Sequence, residues 1–232
     1  SMGDKRLTVA DVLALKGKRQ LSMVRVESLE EGEAAEKAGI DMLSVPPALL
    51  TPAFREAVPT CFAFAGLEYG QYVSAEDYLR AAFAAIRAGG DAVWCAASLQ
   101  TIRRLRDEGV PVCGHVGLIP PKRTWTGGFK AVGKTLDTAL LVWRQTKALE
   151  EAGAFSAEIE VVPAELTDVA TSAHRFLGLE FLGEDRAAEL AADALDEVVD
   201  QLLGGVSHLH GEVLDLGREV VVRPHGGDGD HQ

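Results

Sequence analysis

Short apolar runs alternate along most of this chain with segments whose apolar residues recur at helical spacing, and no other feature constrains the fold as strongly. "SMVRV" (22–26) is followed by helical "EEGEAAEKAG" and then by "DMLSV" (41–45). "TCFAFAG" (60–66) precedes "SAEDYLRAAFAAIRAGG", in which Ser74 is placed to cap a helix with Asp77 three residues on. "DAVWCAA" (91–97) precedes "SLQTIRRLRDEG", and "VPVCGHVGL" (110–118) follows. Helical "LDTALLVWRQTKALEEAG" then leads into "FSAEIEVVP" (155–163). Ala38-Gly39, Ala88-Gly89 and Ala152-Gly153 each stand just before a strand, where a glycine supplies the left-handed residue that ends a helix. Such alternation gives an α/β fold with a parallel sheet and right-handed crossovers. Six strands by residue 163 favour a (β/α)8 TIM barrel over an open sheet, which puts the chemistry on loops after the strands' C-terminal ends.

Beyond residue 165 the pattern weakens, so the barrel's C-terminal end is expected to be irregular or incomplete. "RFLGLEFLG" (175–183) reads as a seventh strand, "EDRAAELAADALDEVVDQLL" (184–203) as a helix, and "REVVVRP" (218–224) as the best candidate for an eighth strand. Residues 1–3 read as a tag remnant, 4–217 as the barrel domain, and 218–232 as a terminal strand and disordered tail.

Composition excludes several classes of function. A net charge of −12 argues against nucleic acid as a partner, because phosphate binding needs a basic face. The apolar runs are short and broken by charge, so none spans a membrane, and no secretory leader is apparent. Cys61, Cys95 and Cys113 have no metal-type spacing and lie in strand-like runs, which reads as reduced core thiols in a cytoplasmic protein. His208-x-His210 lacks a third ligand at defined spacing, and Gly204-Gly205 terminates a helix with no strand before it.

The motifs "GHVGLIPP", "GGFKAVGKT", "ALEEAGAF" and "IEVVPAEL", in this order over residues 110–166, resemble the ketopantoate hydroxymethyltransferase family of enolate-forming barrels. "KRLTVADVLALKG" and "EAAEKAGIDML" fit the same family. The resemblance implies a TIM barrel that assembles as a homo-oligomer. It also implies a reaction in which magnesium stabilises the enolate of an α-keto acid, which then attacks the methylene of a tetrahydrofolate.

This sequence departs from the family at the metal positions. Where the family carries Gly-Asp-Ser after the second strand, Pro46, Pro47 and Ala48 stand here. Gly66 replaces a metal-linked aspartate after the third strand, and Trp94-Cys95-Ala96 replaces Lys-Leu-Glu on the fourth. Magnesium is therefore not expected and no metal ligand is assigned, while tetrahydrofolate stays open as a cofactor.

Two family positions are kept: His115 at the end of the fifth strand and Glu160, the base, on the sixth. Such a pair suits acid/base work, with His115 polarising the substrate carbonyl. Glu68 and Glu27 are candidates for a relocated carboxylate or for solvated loop acids, and Tyr69 and Tyr72 for ligand contacts or rim packing. Trp94 would fill volume that the family's substrate occupies. Lys122, Arg123, Lys130 and Lys134, among Gly127, Gly128 and Gly133, form a basic lid for a small anionic substrate. Three functions stay open: a diverged enzyme doing enolate-type or one-carbon chemistry, a non-catalytic binding or regulatory protein, and the family's own reaction with relocated ligands.

Overall fold

A computed structural model describes residues 5–162 and two further strands, 177–181 and 219–222. Eight parallel strands close into a barrel in chain order, so the alternation read from the sequence is a (β/α)8 fold. They are β1 (Ser22–Arg25), β2 (Met42–Val45), β3 (Phe62–Leu67), β4 (Ala92–Cys95), β5 (Val112–Gly117), β6 (Ser156–Glu160), β7 (Leu177–Phe181) and β8 (Glu219–Val222). The last two fall on the two late candidates, and β8 closes the ring by pairing Ser22 with Val220. The helical reading of 184–203, the tail and the His208-x-His210 pair lie outside the described residues.

Outside the ring run α2 (Leu29–Ala38), α3 (Pro52–Ala57), α4 (Ala75–Arg87), α5 (Leu99–Asp107), α6 (Arg123–Thr126) and α7 (Leu136–Glu151). Ser74 and Asp77 cap α4 reciprocally, each side chain taking a hydrogen bond from the other's backbone N–H. The stretch read as a glycine-rich lid holds a 3-10 turn over Pro120–Lys122 and the single-turn α6.

Two apolar layers hold the barrel. Outward residues such as Leu43, Ala63, Val93 and Ile159 pack against the helices. Inward residues at the N-terminal end, among them Met23, Met42, Phe62, Phe64 and Phe155, form a second cluster. A short helix before the barrel, α1 (Val9–Leu15), closes that end with its fully buried Val12. Phe64 and Phe155 stack at 5.8 Å, which gives the barrel a packed floor beneath its C-terminal mouth. Cys61, Cys95 and Cys113 are buried and unpaired, and burial pushes all three thiols above their usual range.

Between α2 and β3, Glu36 accepts hydrogen bonds from the amides of Thr60 and Cys61 and from the Thr60 hydroxyl. Burial alone would raise this carboxyl, but the hydrogen bonds outweigh it and hold Glu36 below the usual glutamate range. A depressed carboxyl adds stability that is full above its unfolded value of 4.5 and is lost as pH falls through the folded one. Glu36→Gln should therefore flatten the fall in unfolding free energy between about pH 6 and pH 3 and cost about 1–2 kcal/mol at neutral pH. Urea titrations at stepped pH measure this, and parallel curves for the two proteins would contradict it.

Candidate active site

Side chains alternate in and out along a strand, so the inward set at the mouth follows from parity. β1 contributes Arg25, β2 Ser44, β4 Trp94, β5 His115, and β6 both Glu158 and Glu160; all line one cavity of about 280 Å³. Glu68, Tyr69 and Ala96 complete its wall on one side and Ile119, Pro120 and Pro121 on the other. Six of the residues singled out in the sequence therefore share one site: His115, Glu160, Glu68, Glu27, Tyr69 and Trp94.

His115 and Glu160 are nearly buried, at 7% and 8% exposure. His115 Nε2 lies 2.8 Å from the carbonyl oxygen of Leu118 and 3.2 Å from Glu160 Oε2. A carbonyl only accepts, so Nε2 carries the proton and points it at Leu118; Glu160 Oε2 stands beside it without hydrogen-bond alignment. Nδ1 of His115 and Nε1 of Trp94, whose rings lie 5.5 Å apart, are buried without hydrogen-bond partners among the described residues. Such orphans in a cavity wall are available to a ligand.

Glu160 is held through its backbone. Its carbonyl accepts from the Leu118 amide at 2.9 Å. Gly117, at φ +84°, leaves the room: a Cβ there would lie 2.3 Å from that oxygen. The next residue, Val161, has φ +52°, a left-handed conformation that a β-branched residue adopts only under strain. Its carbonyl accepts from Val132 at 3.0 Å, which ties the far end of the lid segment to the strand that carries Glu160.

Arg25 reaches across the mouth. Its Nε meets Glu27 Oε1 at 2.5 Å, its Nη2 meets Glu68 Oε1 at 3.4 Å, and its Nη1 lies 3.5 Å from Ser44 Oγ. A Cβ at Gly66 would lie 3.4 Å from the same Nη1. Glu27 and Glu68 are thus ion-pair partners of one guanidinium.

The lid cations divide. Lys122 donates to the Ala96 carbonyl at 2.6 Å and stands 4.9 Å from the centre of the Tyr69 ring, at the cavity rim. Burial pushes its ammonium below the usual lysine range. Arg123 lies over the Phe129 ring at 5.1 Å, and neither it nor Lys130 nor Lys134 lines the cavity.

The ketopantoate hydroxymethyltransferase family model matches residues 47–176. A 3-methyl-2-oxobutanoate hydroxymethyltransferase from Pyrobaculum calidifontis is 32% identical over 74% of each chain. The chain belongs to the ketopantoate hydroxymethyltransferase family. At the level of fold alone it is similar to a putative phosphonomutase from Burkholderia cenocepacia, with TM-score 0.63 and 14% identity over 93% of this chain and 92% of that one. It is also similar to 2,3-dimethylmalate lyase, a member of the PEP mutase/isocitrate lyase superfamily, with TM-score 0.58 and 13% identity over 93% of this chain and 80% of that one. Among the described residues no helix is long and apolar enough to cross a membrane.

The positions where the ketopantoate hydroxymethyltransferases are expected to hold magnesium carry Pro47, Gly66 and Ala96 here, with a guanidinium beside Gly66. A carboxylate cage does not fit there. One other group among the described residues gathers metal-type ligand atoms: His115, Glu158 and Glu160, all buried and within 4.8 Å of one another. It is a poor match for magnesium, which takes near-octahedral oxygen ligands and keeps several waters. Arg25, Ser44 and Glu158 are site residues that the family motifs do not mark; their signal is an inward polar residue in an otherwise apolar strand.

Gly117→Ala should cost at least about 3 kcal/mol, since a fixed backbone oxygen cannot yield to a Cβ at 2.3 Å. Val161→Gly should gain about 1 kcal/mol, because relief of backbone strain exceeds the added chain entropy. Denaturant unfolding of both variants checks the pair, and loss of stability in Val161→Gly would contradict the strain.

Proposed function

We propose that this chain forms the enolate of a small α-keto acid, as a member of the ketopantoate hydroxymethyltransferase family that works without the magnesium ion. The observation that carries the reading is the buried Glu160 carboxylate beside His115 in the wall of a closed-floored cavity. Glu160 Oε2 takes the proton from the carbon next to the keto group. The C–H electron pair becomes the new C=C bond, and the carbonyl pair moves onto oxygen. With its Nε2 proton directed at Leu118, His115 stands 3.2 Å from Glu160 as a packed neighbour and does not present that proton to the substrate. That departs from the carbonyl-polarising role expected from the sequence. The cavity's volume, at the small end of ligand sites, suits a small acid better than a pteridine. In this reading tetrahydrofolate, as the one-carbon carrier, would present its methylene from outside the mouth.

The test is proton–deuterium exchange at the activated carbon of pyruvate, 2-oxobutanoate and 3-methyl-2-oxobutanoate, followed by NMR in metal-free buffer. Wild type should exchange at least one of them, and Glu160→Gln should lower the rate by about 10²–10⁴-fold. Exchange that survives Glu160→Gln would remove Glu160 as the base. Exchange of none of the acids would favour a binding role without catalysis.

A further inference from the structure

We propose that the Arg25 guanidinium is the resident cation of this site, binding the ligand's carboxylate and adjacent enolate oxygen from where the family's metal would act. The inference rests on the enolate reading above and names the group that would stabilise its charge. An enolate in a cavity walled by Trp94, Ala96 and prolines needs a fixed positive charge, or its formation is prohibitively costly. Among the described residues that line the cavity, Arg25 is the only lysine or arginine.

Three observations place the charge. The Arg25 side chain is 18% exposed, so little water screens it. Glu27 holds the fork by its Nε, which leaves the two terminal nitrogens turned to the mouth. Those nitrogens meet only weak partners among the described residues: Ser44 Oγ at 3.5 Å and Glu68 Oε1 at 3.4 Å, both long for charged hydrogen bonds.

A guanidinium presents two parallel N–H groups at the spacing of a carboxylate, or of the syn oxygens of an α-keto acid enolate. Glu68, with its side chain 44% exposed, occupies the position such an anion would take and is free to swing to water. Glu68 is then a placeholder that keeps Arg25 paired while the site is empty. The class of ligand that follows is a small planar carboxylate with a second oxygen on the neighbouring carbon.

Calorimetric titration with oxalate in chelator-treated buffer tests this. Wild type should bind without added metal, Arg25→Met should weaken binding by about 10- to 100-fold, and Arg25→Lys, which keeps the charge and loses the fork, should fall between. Glu68→Gln should bind as well as wild type or more tightly, and a urea unfolding curve of Arg25→Met that matches wild type excludes misfolding as the cause of its weaker binding. Oxalate binding that needs added magnesium or manganese, survives Arg25→Met and is lost in Glu158→Gln would overturn the inference in favour of a metal at His115, Glu158 and Glu160. Deuterium exchange that persists in Arg25→Met would overturn it and leave the enolate reading standing. Arg25-dependent oxalate binding with no exchange by wild type would keep the anion site and overturn the reaction.

Discussion

Arg25 lies across the barrel mouth beside Gly66. The guanidinium comes within 3.4 Å of the point where a Cβ would stand. An aspartate at that place would meet it directly and draw it into a closed ion pair. Glycine instead leaves the positive charge facing open space, with Ser44 at its flank and Glu27 and Glu68 as half-exposed partners. The electrostatics of the mouth follow from this one pairing of a long cation with an absent side chain.

The opposite wall depends on a second close approach. Gly117 lets β5 press against the Glu160 backbone, and the Leu118 amide holds the same oxygen. Leu118 also receives the His115 proton on its carbonyl, so three consecutive constraints on one turn fix both ring and carboxylate. Strain at Val161 is the accompanying cost, and it sits one residue from the carboxylate it helps to aim. Below both walls the stacked Phe64 and Phe155 and the plug of α1 make the floor rigid. A rigid floor is what lets sub-ångström differences at the mouth matter.

Much of this was legible in the sequence, for reasons that differ by element. The first six strands show as β-branched or apolar runs between helical segments, the last two only as candidates in a weaker pattern, and the Ala-Gly pairs mark where helices stop. His115, Glu160 and Trp94 are marked by the family's positions and Glu68 and Tyr69 by their side-chain chemistry after the third strand, and all five line one cavity. Arg25 and Ser44 were equally readable by parity, since they occupy inward positions of β1 and β2. They escaped notice because the family's functional positions on those strands lie further along the chain. Glu158 escaped for a related reason: an inward glutamate one turn of the pleat below Glu160 resembles a solvated acid until its burial is known. The basic lid is less legible. A run of cations within 13 residues says nothing about where each points, and contacts with Ala96, Tyr69 and Phe129 turn Lys122 and Arg123 to local partners.

The central claim is that a guanidinium, and not a divalent ion, carries the positive charge of this site. A crystal structure of the protein grown with oxalate and millimolar magnesium tests it most directly. The expected result is oxalate paired with the terminal nitrogens of Arg25 at about 2.7–2.9 Å, with Glu68 displaced to solvent and no ion between oxalate and protein. An ion at about 2.0–2.1 Å from oxalate oxygens, coordinated by Glu158 or Glu160 with Arg25 still paired to Glu68, would contradict it.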